Sequence, residues 1–463
     1  MNVALYYALC GLCTLLVLIG INMMSKVNTA AAGNTVSEAA MVMAVVLTIV
    51  EYGIGSGAVI YVCLAAGFLF GILRAGKVKM IAMPQTVAML NGLGGAASAL
   101  VAGASVITRS NSTFENSTAG IALAVGALTF TGSLIAAWKL SGRIGSKPKQ
   151  LPAHTFWTTL ILLLMIVFII LETTGSGLWA IGTAVLALLG GMIFVMRVGG
   201  ADMPIMISLL NSLSGVAGGI AGMAVDEPLL VAIGGIVGAS GLILTQDMCR
   251  AMNRNLAAII TGKTTTAPGS ADADSTAEGS KNENTADKKH ITEADIADKL
   301  RTAKDIIIVP GYGMALSQAQ QEVADLTAAL ERRGARVRFA IHPVAGRMPG
   351  HMSVLLCEVD IPYDKLCMMD DINPEFASCD LVIVTGANDV TNPAANTAEG
   401  TPIYGMPVLK VADAPMTVIC NFDTKPGYAG VPNPLYTASN VLLMLGDAKE
   451  SIRKLLGFLQ QAE

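Results

Sequence analysis

The sequence predicts two architectures in one chain: a polytopic α-helical membrane domain, then a doubly wound α/β domain built on a parallel sheet. Three observations carry that expectation. Hydrophobic residues make up 53% of the 463 and charged residues only 14%, with a mean hydropathy of +0.59, beyond what a soluble protein of this size shows. The apolar excess lies entirely in the first 260 residues, and from Thr261 onward the charge density is that of a soluble enzyme. Finally, DIIIVPGYGMAL at 305–316 runs four apolar β-formers into Pro310 and a Gly311-Tyr312-Gly313 turn, with a helix-period segment behind it.

Nine apolar stretches are long enough, or nearly so, to cross a hydrocarbon core of ~30 Å, which takes ~20 helical residues. They run over 3–24, 36–51, 56–74, 84–107, 119–139, 156–173, 176–196, 204–224 and 229–249. The second starts from polar residues, which blurs its limits. The opening MNVALYYALCGLC has no basic n-region and no cleavage site, so it reads as a retained helix. With the N-terminus outside, the inner loops carry Lys26, Arg74, Lys77, Lys79, Lys139, Arg143, Lys147, Lys149 and Arg197. The outer loops carry only Arg109, beside Glu51, Glu115, Glu172, Asp226 and Glu227. This follows the positive-inside bias, and nine helices then put the soluble half in the cytoplasm.

Within this half the chain repeats itself. Residues 83–97, MPQTVAMLNGLGGAA, recur as 203–217, MPIMISLLNSLSGVA. A proline near each start suits a first helical turn, and the small residues beyond allow close helix approach. The element puts Asn91 and Asn211 about two turns into equivalent helices. An amide inside lipid must face protein or water, so each is either a tie between helices or part of a polar pathway near the bundle axis. Asp202, just ahead of the second copy, is the ionisable group best placed to connect such a pathway to the inner face. Asp247, near the last span's inner end, is a second candidate that reads rather as an exposed helix-end acid.

Residues 1–260 are thus expected to form the membrane domain. Residues 261–289, rich in Thr, Ala, Ser and Asp and without apolar periodicity, form a flexible linker, and 290–463 the soluble domain. There a short helix over 293–302 leads to a strand at 305–310, the glycine turn and one helix over 315–333. Strands follow at 336–341, 380–385, 406–411 and 416–420, and NVLLMLGDAK leads into the last helix. Such alternation gives about six parallel strands with helices on both faces, a Rossmann-like arrangement. Strand, glycine turn and helix is the order that brings a pyrophosphate against backbone N–H groups, although the third position of GxGxxG is Leu316.

Ligands of such sheets bind where strands end. Gly311-Tyr312-Gly313, the GRMPG run 346–350, Asn388-Asp389, Gly427-Tyr428 and Gly446-Asp447 all follow strands. NAD-binding folds usually end the second strand in an acid that grips the ribose 2′-OH; Ala340-Ile341-His342 stands there instead, which favours NADP. Arg347 is placed to contact a phosphate or to form a surface ion pair, and Asp389 to touch the nicotinamide end or to cap a turn. His342 and His351 lack a Cys or His partner at metal spacing and read as loop-ordering groups. The eight cysteines have no paired spacing, so neither a metal site nor a disulfide framework is expected. No Ser-His-Asp arrangement is present, and the net charge of −4 argues against a nucleic-acid partner.

GYGMA, HPVAGRMPGHM, GAND with NPAA, GYAGV with NP, and GDAK occur in order, behind MP…LN and GGADMP in the membrane half. Together they resemble the β subunits of proton-translocating NAD(P) transhydrogenases, over all of the chain but the linker. The resemblance implies an oxidoreductase and translocase, active only with an α subunit. Hydride moves between NAD(H) on that α subunit and NADP(H) on a domain like residues 290–463, coupled to proton passage through the membrane half. It also implies a dimer of αβ units in a bacterial inner membrane. One nucleotide fold in this chain agrees with a reaction that needs two.

Carried over by position, the resemblance places NADP contacts on Gly311, Tyr312, Gly313, Val344, Ala345, Gly346, Arg347, Pro349, Asn388, Asp389, Tyr428, Asp447 and Ala448, with Asp389 the catalytic candidate. Coupling residues fall on Asp202 and Asn211, with Asn91 on the proton pathway. Two positions depart. Enteric members carry a membrane histidine where this chain has Asn91, and an amide takes up no proton at neutral pH. A Lys-Arg-Ser triplet that cradles the 2′-phosphate aligns with Asn421-Phe422-Asp423, which weakens that cradle unless Lys425 compensates. Two alternatives follow: a nucleotide-regulated transporter without hydride chemistry, and a variant whose soluble domain binds NAD(H) through Asp423.

Overall fold

Apolar run length shapes the first part of the chain. In a computed structural model the runs become nine helices: α1 (Val3–Met24), α2 (Ala30–Glu51), α3 (Ala58–Ala75), α4 (Met83–Thr108), α5 (Thr113–Leu140), α6 (His154–Glu172), α7 (Gly177–Met196), α8 (Met203–Val225) and α9 (Pro228–Ala251). The structure describes residues 2–24, 29–53, 57–78, 82–108, 112–145, 149, 152–173, 177–199, 202–252, 254–261, 291–345, 350–401, 403–427 and 429–460. Nearly all of the expected linker therefore lies outside the described residues, as do Lys26, Lys79, Arg109 and Lys147. Among those described, eight helices are long and apolar enough to cross a membrane; α6 has a shorter apolar run, Phe156–Glu172. Its 19 residues rise about 28 Å, close to the ~30 Å of a hydrocarbon core.

Two helices start six residues earlier than the apolar pattern alone suggests, and polar chemistry explains both. Ser112 accepts from the Glu115 backbone N–H while the Glu115 side chain accepts from the Ser112 N–H, a capping box that fixes the start of α5. In α2 the Asn34 amide donates to Glu38 one turn on, at 2.6 Å. Small residues let α4, α5 and α8 pack closely, and α8 buries most of its length, including Met206, Leu210, Ala217 and Ala221. By contrast α3 buries none of its residues.

Contacts divide the chain into two units, Met1–Gln246 and Asp247–Glu463. The second unit contains α10 (Leu256–Thr261), α11 (Glu293–Thr302), β1 (Asp305–Pro310), α12 (Tyr312–Ser317), α13 (Gln320–Arg332), β2 (Arg336–Ile341), α14 (His351–Glu358), β3 (Leu366–Met368), α15 (Met369–Ile372), β4 (Leu381–Thr385), β5 (Thr417–Asn421), β6 (Val441–Leu445) and α16 (Ala448–Gln460). The six strands are all parallel, in the order β3-β2-β1-β4-β5-β6. This is the doubly wound order with its switch point between β1 and β4. Ile307, Val309, Val382, Val384 and Ile419 fill one core with Phe376 and Leu409.

Three sequence expectations change. The helix expected over 315–333 is two helices, because Gln318 takes a left-handed conformation at φ +53° and ends α12. The segment 406–411 joins no sheet, and its last residue opens a 3-10 turn, Val411–Asp413. Leu409 N–H donates to Val390 O, Lys410 N–H to Asn373 Oδ1 and Asn373 Nδ2 to Val408 O, so its backbone is satisfied from a neighbouring loop. The sixth strand is β3, three residues on the edge beside β2, too short to show an alternating pattern.

Candidate nucleotide site and membrane repeat

The repeated element forms helix starts in the same frame, with Met83 and Met203 each first in its helix and proline next. α4 and α8 meet through equivalent positions. A Cβ on Gly94 would lie 2.7 Å from Ser214 Oγ, and one on Gly218 would lie 3.7 Å from Ser98 Oγ. Positions 94 and 214, and 98 and 218, are 120 apart, so the helices run parallel and in register, related by a pseudo-twofold axis between them. Asn91 Nδ2 donates to Ile207 O at 3.3 Å, a tie across this seam, and is buried. Asn211, one turn beyond Ile207, is half-buried. Asp202 is buried at the N-cap of α8, and its carboxyl does not cap that helix. Lys139 closes the same corner: its ammonium donates to the carbonyls of Val195, Met196 and Val198 at 3.2, 2.6 and 2.8 Å. Sequence patterning had offered Lys139 only as a loop charge. Asp247 is an exposed acid 3.7 Å from Arg250.

In the soluble unit the expected nucleotide positions fall along one edge of the sheet, in strand order. Val344 and Ala345 follow β2, Gly311 to Gly313 follow β1, Asn388 and Asp389 follow β4, Asp423 and Lys425 follow β5, and Asp447 and Ala448 follow β6. Gly346, Arg347, Pro349 and Tyr428 lie outside the described residues. At the switch point the turns after β1 and β4 interlock. A Cβ on Gly311 would lie 2.3 Å from Gly386 O, and one on Gly386, whose φ is +66°, 2.3 Å from Met314 N. Gly311 N–H donates to Thr385 O and Gly313 N–H to Gly386 O, at 2.9 and 2.8 Å. The glycine turn is therefore fixed by its neighbour, with those two donors already committed. Gly386 was visible in the GAND motif, but nothing in the sequence showed that it answers Gly311.

Polar side chains next to this corner tie loops together. Asn388 Nδ2 donates to Lys425 O at 3.0 Å, and Asn433 Nδ2 to Asn388 Oδ1 at 3.2 Å. Asp389 Oδ2 accepts from Ala429 N–H at 3.0 Å, and Gly427 leaves the space its carboxylate occupies. Asn421, aligned with a phosphate-binding lysine in the resemblance, is instead the buried end of β5, donating to Ala387 O and to the Tyr436 hydroxyl. Phe422 is 77% exposed. Asp423 accepts from the Lys425 backbone N–H, and their charged groups stand 3.8 Å apart. His342 accepts from Val344 N–H on Nδ1, which leaves Nε2–H to donate to Pro407 O at 2.8 Å. Burial holds its pKa below the ordinary value, so the ring is neutral. That is the loop-ordering role expected of it.

The corner suits a dinucleotide in two respects. Its three glycines let the turns after β1 and β4 close tightly on each other at the switch point, and Asn421 Oδ1 is a buried acceptor with no partner among the described residues. Comparison with known proteins agrees with this geometry. Residues 6–457 match the family described as NAD(P) transhydrogenase beta subunit. The NAD(P) transhydrogenase subunit beta of Rhodospirillum rubrum is 38% identical over 97% of both chains, with the same figures for the protein of a named strain of that species. Membrane helices, the switch-point order and these matches along nearly the whole length lead to one conclusion: the chain belongs to the family of NAD(P) transhydrogenase beta subunits.

Proposed function

We infer that this chain binds NADP(H) along the C-terminal edge of its sheet and, with an NAD(H)-binding α subunit, couples hydride transfer to proton translocation. The observation that carries this reading is the run of candidate positions from Val344 to Ala448 along one edge, in a chain whose first unit is a bundle of apolar helices. Gly311, Gly313 and Gly386 let the turns after β1 and β4 interlock as the floor beneath the pyrophosphate, and Val344, Ala345, Gly346, Arg347, Pro349, Asn388, Tyr428, Asp447 and Ala448 are the residues this reading assigns to nucleotide contact. Asp389 and Asn388 hold the 425–429 loop against the reacting end. The nicotinamide supplies the hydride chemistry; the protein supplies proximity, orientation and exclusion of water. Asp202, Asn91 and Asn211 form the polar seam on which protonation biases the bundle between two states. The soluble unit faces the cytoplasm, following the loop charges, and two αβ units associate.

The test is hydride exchange by the full chain reconstituted with its α partner in proteoliposomes. NADH-driven reduction of an NADP analogue that sets up a proton gradient supports the reading. Nucleotide-dependent proton flux without hydride exchange supports a regulated transporter instead.

A second reading has a specific observation in its favour. Asp423 lies beside Lys425 and partly neutralises the one cation left in that loop segment, which favours an unphosphorylated ribose. Calorimetry on the full chain separates the two. NADPH binding tighter than NADH keeps the first, and NADH preference that weakens in Asp423→Ser supports the second.

A further inference from the structure

Glu172 is the last residue of α6, where loop patterning puts it among the acids of an outer loop. The structure buries it completely, at 0% exposure, and neither carboxyl oxygen has a hydrogen-bond partner among the described residues. The carboxyl lies against α5 at Gly120, where an added methyl would sit 2.0 Å from Oε2. Gly120 is thus the slot that the acid fills. Thr183 of α7, also at 0% exposure, is the polar side chain beside it. Around them the three helices pack Ala119, Ala122, Ala180 and Ile169.

Among the described residues, no cation on these helices or on α4, which carries no ionisable residue, reaches the carboxyl. α7 carries no ionisable residue, α5 carries Glu115 and Lys139, and α6 carries His154 besides Glu172. Glu115 is engaged in its capping box. Lys139 lies about 28 Å along α5 from Gly120 and donates to three carbonyls of the far corner. His154 is at the other end of α6, beside Arg197. An isolated carboxylate inside a membrane bundle costs several kcal/mol, so an acid buried there with no cation beside it among the described residues marks a place where protons bind.

We propose that Glu172 is a proton-exchanging carboxyl of the membrane unit, at the end of the bundle opposite Asp202, with the Gly120–Thr183 slot as its gate. When the slot opens to water, a hydronium proton adds to the carboxylate and leaves a neutral acid and water; closure holds that acid, and reopening reverses the step. This rests on the proton-coupling reading above. The experiment uses the complete αβ assembly, wild type, Glu172→Gln and Gly120→Ala. Infrared spectra report protonated carboxyl groups, and proton uptake into proteoliposomes is followed during hydride exchange. Glu172→Gln is expected to remove one protonated-carboxyl band and to lower coupled proton uptake about tenfold or more. Gly120→Ala is expected to shift that band without removing it. An unchanged spectrum in Glu172→Gln overturns the proposal, as does loss of the band with full proton uptake. A wild-type assembly that exchanges hydride without moving protons overturns the coupling reading itself, together with this role for Glu172.

Discussion

The two copies of the membrane element differ in what precedes and surrounds them. α4 and α8 share a start, a proline, an asparagine and a parallel seam, yet α8 is buried along most of its length and α4 on little more than one side. Ala82 stands before the first copy where Asp202 stands before the second. Asn91 is buried and bonded to α8, whereas Asn211 is half-buried and its side chain makes no hydrogen bond among the described residues. Duplication thus supplied a symmetric seam, and the copies then diverged: the first braces and the second carries the acid.

The sharpest way to break this contrast is Asp202→Asn. Coupled transhydrogenation in proteoliposomes is expected to fall about a hundredfold, and adding Ala82→Asp to that variant is expected not to restore it. Equal activity from an acid on either copy would mean that the copies are interchangeable.

Packing comes next. A Cβ on Gly95 would lie 2.7 Å from Gly126 O of α5, and one on Gly215, 120 positions on, 2.6 Å from Gly238 N of α9. Each copy therefore packs on the helix that follows it. Gly95→Ala and Gly215→Ala should each cost about 1–3 kcal/mol, read as a lower midpoint of unfolding in detergent. A silent Gly215→Ala would show that the second hairpin yields where the first does not.

Smaller again is Asn91→Leu, at about 1 kcal/mol for a lost interhelix hydrogen bond, with Asn211→Leu milder still. If Asn211→Leu costs as much, the bracing role is shared. The smallest effect belongs to the soluble unit and should be present with either copy altered. His342 is buried neutral, so the unfolded chain binds a proton there first as pH falls through about 6.5. Stability is then lost on acidification, by about 0.4 kcal/mol between about pH 6.5 and about pH 6. His342→Asn should flatten that slope in thermal melts.

Much of this was legible in the sequence because it rests on period and length. Apolar runs located α1 to α9, and the alternation after Glu293 located five of the six strands found among the described residues. What stayed hidden depends on contacts between distant residues. Nothing local shows that Glu172 turns inward onto a glycine of α5, since the same residue at a helix end is usually solvated. The segment 406–411 looks like a strand because its composition suits one, and only Asn373 and Val390 divert its backbone. Gln318 gave no warning of a left-handed turn. In the candidate site the positions were readable from motifs, but the commitment of the Gly311 and Gly313 donors to the neighbouring loop was not.

The interlocked turns after β1 and β4 restrict how this corner can change over generations. Gly311, Gly313 and Gly386 occupy one another's missing side-chain space, so a mutation at any one collides with backbone that no rotamer can move aside. A lineage cannot explore the corner one substitution at a time. Any drift in nucleotide preference must begin on the loops outside it, such as 421–425, while the three glycines are inherited together.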